Sequence, residues 1–375
     1  HLISGQNEEQ VAQALQAAAG EAPYLFYLGF AGVQERASVF IERQLAQGGL
    51  LLWQKPFAYG AISYYRRPDG ARFAGVQADR PAEGAFAGQL RLQSYGLSDG
   101  PLQYRQQAGV ALNWRAIRRP EQDYHIFLQL VDADGRVWGR RDHPLQDDAA
   151  LPSTLWADVG EHLCRYTVPL DAGIPPGSYW IALGLYRLSD LSRLEIVGDD
   201  GRSRGTELRL GPLQVTSALQ PPSLEELAIP HPLSASLGQG AELLGYDLAQ
   251  RTYQSGEWLP VTLYWRAVAR VSERYDLALR LLRGQTAVAT SQSSPAGSEH
   301  PTDRWLPGEM LRYPHRLLIP ADLPGGDYDL SVNWIDAQGE PLLAQDLFLA
   351  RLAVEHRDRL FTPPAIQRPL SIRVG

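Results

Sequence analysis

Two hydrophobic periods alternate through the first 78 residues. In EEQVAQALQAAAG, Val11, Leu15 and Ala18 recur at helical spacing, and Gly20 supplies a stop. VQERASVFIERQL sets Val33, Ala37, Phe40, Ile41 and Leu45 on one helical face, closed by Gly48-Gly49. Between them PYLFYLGF is a continuous apolar run, the pattern of a strand covered on both faces. LLWQKPF and AYGAISYYRR predict two further strands. The order helix–strand–helix–strand–strand predicts a small α/β domain over residues 1–78. It is too short for a large core of its own and is expected to pack on the domain after it.

From residue 79 the period becomes two, and the sequence repeats. VALNWRA (Val110 to Ala116) returns as VTLYWRA (Val261 to Ala267), with Trp114 and Trp265 151 positions apart. Pro81 and Pro232, Leu97 and Leu248, and Tyr124 and Tyr275 keep the same offset. Trp156 and Trp305, and then IPPGSYWIAL and LPGGDYDLSV, come at 149. Such ordered anchors imply one duplicated domain. In each copy short alternating runs are separated by turn signals such as Asp132-Ala133-Asp134-Gly135, where glycine can take positive φ. Seven or eight strands per copy at this spacing predict immunoglobulin- or fibronectin-like β-sandwiches. The fold class expected is therefore mainly β: a small α/β domain (1–78), sandwich repeats at 79–229 and 230–357, and a linker or first strand of a further repeat at 358–375. IQRPLSIRVG (Ile366 to Gly375) matches IPHPLSASLG (Ile229 to Gly238), which opens the second repeat. The parent protein is accordingly expected to continue.

Composition narrows the function classes. The formal net charge is −7, so nucleic acid has no electrostatic footprint to bind. Lys55 is the sole lysine. Cys164 is the sole cysteine and alternates in phase with Tyr166 and Val168, as a buried small hydrophobe would. An intrachain disulfide is therefore excluded. No apolar run reaches the ~18 residues of a membrane span. Any membrane contact is expected only through a segment outside this chain.

No phosphate-binding glycine loop, nucleophile elbow or H-E-x-x-H motif occurs, and the eight histidines do not pair at ligand spacing. Catalytic residues, metal ligands and cofactors are thus expected to be none. Asp132-Ala133-Asp134-Gly135 lacks the further ligands of a calcium loop and reads as a hairpin turn. GDDGRSRG (Gly198 to Gly205) reads as a solvated insertion. The remaining candidates are tryptophans. Trp138, Trp156, Trp305 and Trp334, with Trp180, fit two roles: platforms on which a sugar ring stacks, or aromatic closure of a sandwich core. Trp156 and Trp305 occupy equivalent loop-like segments, PSTLWADVGE and PTDRWLPGE, which fits a carbohydrate site on each copy. Core closure would repeat as faithfully.

LLGYDL, GEWLPVTLYWRA, YDLALRLL, HPTDRWLPGEM and HRLLIPADLPGGDYDL together resemble the extracytoplasmic tail modules of bacterial membrane glycosyltransferases. These belong to the superfamily of protein mannosyltransferases and aminoarabinose transferases. The resemblance spans residues 80 to 375; SVFIERQLAQGGLLLWQKPFAYGAISYYRR is similar to the α/β segment that can follow the last span in that family. It implies an extracytoplasmic, non-catalytic region of a cell-envelope protein that spaces, docks or binds glycan, with envelope polysaccharide or glycoprotein as partner. Catalytic acids of that family lie near the membrane spans, so none maps here. The alternative is a structural surface or filament subunit that self-associates through its sandwiches and terminal strand. A hydrolase with a hidden carboxylate pair is a third class.

Overall fold

The computed structural model describes residues 7–30, 36–82, 84–156, 160–198 and 200–357. The terminal PLSIRV stretch, and with it any third repeat, lies outside the described residues. The chain is mainly β, built from several antiparallel sheets.

At the N-terminus come α1 (Glu8–Ala19), β1 (Tyr24–Phe30), α2 (Arg36–Gly48), β2 (Leu50–Phe57) and β3 (Gly60–Arg66). Asn7 caps α1 by accepting from the Gln10 backbone N–H at 3.0 Å, and Gly20 closes it at φ +51°. Its buried stripe is Val11, Leu15 and Ala19, one residue beyond the predicted Ala18, because i, i+4, i+8 stays in line. The α2 side chains Phe40, Ile41 and Leu45 complete this small core with Tyr65 and Phe73. The three strands pair in the order β1-β3-β2. Here the expectation for PYLFYLGF fails: β1 alternates between exposed and half-buried positions. The helices cover one face of the sheet, and a run of apolar residues on the other face stands in solvent.

The first repeat contains β4 (Arg80–Pro81), β5 (Ala85–Phe86), β6 (Leu90–Leu97), β7 (Gln107–Ala116), β8 (Tyr124–Val131), β9 (Val137–Pro144), β10 (His162–Pro169), β11 (Gly177–Arg187), β12 (Ile196–Val197) and β13 (Leu208–Val215). A short α3 (Leu224–Leu227) comes next, opened by a capping box between Ser223 and Glu226. The second repeat contains β14 (His231–Gly238), β15 (Ala241–Asp247), β16 (Thr252–Gln254), β17 (Trp258–Ala267), β18 (Asp276–Arg283), β19 (Thr286–Ser293), β20 (Met310–Leu318), β21 (Gly326–Ile335) and β22 (Leu347–Glu355).

Strand order repeats with the sequence. One sheet carries β10-β7-β6 in the first repeat and β20-β17-β15 in the second. The other carries β13-β11-β8-β9 and then β22-β21-β18-β19. Trp114 and Trp265 stand two residues from the ends of β7 and β17, and both are fully buried. A single 3-10 turn precedes Trp156 (Ser153–Leu155) and another precedes Trp305 (Thr302–Arg304). The turn hydroxyls accept from equivalent backbone amides: Tyr124 N–H to Ser153 Oγ at 3.3 Å, and Tyr275 N–H to Thr302 Oγ1 at 2.8 Å. The predicted hairpin turn at Asp132 closes through the Asp132 N–H to the Arg136 carbonyl at 3.0 Å, with Gly135 at φ +80°. Cys164 is a buried free thiol whose pKa burial pushes well up.

The described residues fall into two compact units. The first holds residues up to Ala228, with Ala296–His300 and Trp305–Arg312. The second holds Ile229–Pro295, Pro301–Arg304 and the residues from Tyr313 on.

Candidate functional site

Of the five tryptophans proposed from sequence as sugar platforms, Trp180 is half-buried in β11 and the other four are buried, with exposures of 2 % or less. Trp138, in β9, donates from Nε1 to Asp132 Oδ2 at 3.1 Å. Trp156 donates to the Leu151 carbonyl at 3.0 Å and stacks on His162, with ring centroids 4.6 Å apart. Trp305 makes the matching bond to the His300 carbonyl at 3.2 Å. Trp334, in β21, packs between Trp265 and Tyr275. A pyranose needs an open ring face, and these rings have none to offer; they close cores. No two of them form a common surface site.

A different place has the properties of a site. Within the first unit a cleft of about 680 Å³ opens between the helix-facing side of the N-terminal sheet and the strands β9 and β10. That size falls in the range that holds small ligands. Strand alternation delivers its lining. Tyr27, Ser63 and Tyr65 point inward because their neighbours Phe26, Ile62 and Tyr64 point outward. From β9 come Arg141 and His143, and from β10 come Tyr166 and Thr167. Glu42 and Arg43 project from one side of α2.

The cleft wall is fixed by an ion cluster. The Glu8 carboxylate is completely buried, accepts from Arg43 Nη1 at 2.7 Å and Gln44 Nε2 at 2.7 Å, and forms an ion pair with Arg165, whose Nε lies 3.4 Å away. Asp148 also pairs with both arginines. The arrangement ties α1 to α2 and both to β10, so Arg43 and Arg165 are committed to structure. Arg141 is different. It donates to Gln107 Oε1 at 3.3 Å and pairs with no carboxylate among the described residues.

The other polar lining groups are the Glu42 carboxylate and a set of hydrogen-bonding side chains. Tyr27 donates to Glu42 Oε1 at 3.3 Å; burial, reinforced by that carboxylate, pushes its pKa up to about 12. Burial likewise raises Tyr65 and Tyr166. All three phenols thus stay protonated at neutral pH and can donate. Gln54 Nε2 donates to Ser63 Oγ at 3.0 Å. His143 Nδ1 lies 2.8 Å from the Pro144 carbonyl, so that nitrogen is engaged by backbone. The chemistry on offer is hydrogen bonding, ring contact, the Glu42 carboxylate and the Arg141 guanidinium.

No group of three or more His, Cys, Asp or Glu is placed to hold a metal ion among the described residues. Among them, too, no helix is long and apolar enough to cross a membrane. Sequence reasoning did not find the cleft residues, because they come from β1, α2, β3, β9 and β10 and share no motif. The one usable signal was the tyrosine content of YLFYLGF and ISYY, where polar-tipped rings occupy what reads as core. No family model matches the chain, and comparison with curated protein sequences finds no match.

Proposed function

We propose that this chain is a non-catalytic, extracytoplasmic region of a cell-envelope protein, the tail of a membrane glycosyltransferase, and that it captures glycan in the cleft of its first unit. The cleft carries this reading. Saccharides are held by many hydrogen bonds to hydroxyls together with contact on ring faces. Tyr27, Gln54, Gln107 and Thr167 supply the first, and the half-buried ring of Tyr27 the second. Arg141, free of a carboxylate partner among the described residues, favours an acidic sugar such as a uronate.

The fold reading that accompanies it is two immunoglobulin- or fibronectin-like sandwiches, 79–229 and 230–357, after a small α/β domain. Three features support it. The two repeats share one strand order. A tryptophan is buried at the same place in each. Finally, Tyr179 and Tyr328 each donate to a carbonyl four residues upstream, Pro175 and Pro324, at 2.7 Å. Such a tyrosine closure is characteristic of immunoglobulin-like corners.

Titration calorimetry with uronate-bearing and neutral envelope oligosaccharides tests the cleft. Arg141→Gln is expected to weaken acidic ligands about tenfold, the scale of one charge-assisted hydrogen bond, and to spare neutral ones. Tyr27→Phe should weaken both. Affinities unchanged in both variants, or no binding of any envelope oligosaccharide, would refute glycan capture here.

A further inference from the structure

The outer face of the N-terminal sheet gathers exposed Tyr24, Phe26, Leu28, Phe30, Trp53, Phe57 and Ile62. Its rows follow the pairing register. Phe26, Tyr64 and Trp53 lie side by side; next come Leu28, Ile62 and Lys55; then Phe30, Gly60 and Phe57. Tyr24 and Arg66 close the near end. Phe26 is 69 % exposed, Phe30 56 % and Leu28 50 %. The rings order one another: Phe26 stacks on Tyr64 at 4.4 Å, Tyr24 on Tyr64 at 5.5 Å, and Trp53 lies 5.6 Å from Tyr64. At the tip of the β2–β3 hairpin, Tyr59 is 75 % exposed. A contiguous apolar patch of this kind on a rigid sheet face is often a functional surface.

Charge and size say which. None of these positions carries a carboxylate, although the chain holds 42 acidic residues against 35 Lys and Arg. The two charges present are cations, and one of them, Lys55, is the sole lysine. From strand rise and spacing the face measures roughly 20 Å by 10–15 Å, or about 300 Å² at most. A stable pair of copies needs about 800 Å² from each partner. Two-fold pairing would also bring Lys55 and Arg66 towards their own copies with no acid to neutralise them. Tryptophan, tyrosine and phenylalanine flanked by Lys and Arg is instead the composition that settles at a bilayer–water boundary, where ring bodies enter the acyl edge and cations meet lipid phosphate.

We propose that this face docks the chain on the surface of an anionic membrane. The contact belongs to the chain itself. It uses the outer side of the sheet, whose Phe30 and Phe57 end also borders the cleft, whereas Phe26, Trp53, Lys55 and Arg66 do not line it.

The test is co-flotation of the full chain with phosphatidylcholine vesicles containing, or lacking, 30 mol % phosphatidylglycerol, ~30 being our chosen anionic content. The chain is expected to float with the anionic vesicles and to release as salt rises. Lys55→Gln with Arg66→Gln should lower that affinity roughly 25-fold, about fivefold for each cation lost. Phe26→Asp with Trp53→Asp should abolish flotation. Selective amine labelling gives a readout on the unaltered protein: Lys55 should label several-fold more slowly on anionic vesicles than in buffer. Failure to float, or flotation with unchanged Lys55 labelling, overturns the proposal. So does sedimentation as a dimer that Phe26→Asp dissociates, since the face would then be an interface between copies. Flotation that persists in Phe26→Asp/Trp53→Asp overturns it equally.

Discussion

Replacing Glu8 by alanine tests whether the ion cluster is what holds the N-terminal helices in place. The carboxylate is fully buried, takes two donors, from Arg43 and Gln44, and pairs electrostatically with Arg165. Removing it strands the Gln44 amide, itself 1 % exposed, at a cost of about 1–3 kcal/mol for a buried unsatisfied donor. Both arginines also lose one of two carboxylates. A wholly broken buried ion pair costs about 3–5 kcal/mol, but Asp148 continues to neutralise both guanidinium groups. Together these terms place Glu8→Ala near ~3 kcal/mol. At about 2–4 °C per kcal/mol for a unit of this size, the first unit should melt roughly 6–12 °C lower. Glu8→Gln keeps one acceptor and should lose about half as much. Calorimetry gives the melting temperature, and amide exchange should show α1 and α2 opening before β7. Adding Gln44→Leu removes the stranded amide, so the double variant should recover about 1 kcal/mol relative to additivity. A Glu8→Ala cost below about 0.5 kcal/mol, with additive double substitution, would mean the cluster is a solvated surface feature, and the reasoning would fail.

Three further outcomes are expected from the same geometry. In the second unit Asp346 is held by Asn333, Arg280 and Ser331; burial works against its charge, but these hydrogen bonds hold its carboxyl below the usual aspartate range. A depressed carboxyl stabilises above the unfolded pKa of about 3.9 and loses that contribution as pH falls through the folded value. Urea unfolding from pH 5 down to pH 2 should therefore show the wild type losing stability below about pH 4 more steeply than Asp346→Asn. Trp156→Ala and Trp305→Ala should each cost about 3–5 kcal/mol in denaturant unfolding, while glycan affinity measured in the folded state stays unchanged, as expected of core rings. Gly96→Ala drives a Cβ into the Gln77 carbonyl oxygen, so β6 and the segment beside it must separate; a loss of about 2 kcal/mol or more is expected in the same unfolding assay.

Much of the β architecture could be read from the chain because duplication doubles each weak signal. VALNWRA and VTLYWRA located two strands and their inward tryptophans at once, and β7 and β17 fall there. The 3-10 turns before Trp156 and Trp305 are the structural counterpart of PSTLW and PTDRW. The same logic misled for function. A repeated tryptophan fits a repeated site and a repeated core equally well, and only burial separates them.

The N-terminal sheet was misread for a related reason. A continuous apolar strand predicts cover on both faces because hydrophobic residues normally lose water on folding. YLFYLGF contains no polar alternation, so the sequence carries no mark of which face is open. The distinction lies in its partners. Tyr27 meets Glu42 and enters the cleft, whereas Phe26 meets Tyr64 and stays in solvent, and neither partner is near in sequence. A strand that is apolar on both sides while the sheet is covered on one is evidence about what lies beyond the chain. Folding accounts for the side under the helices. The other side, bearing Phe26, Trp53 and the sole lysine, is accounted for by a surface the protein meets after it has folded.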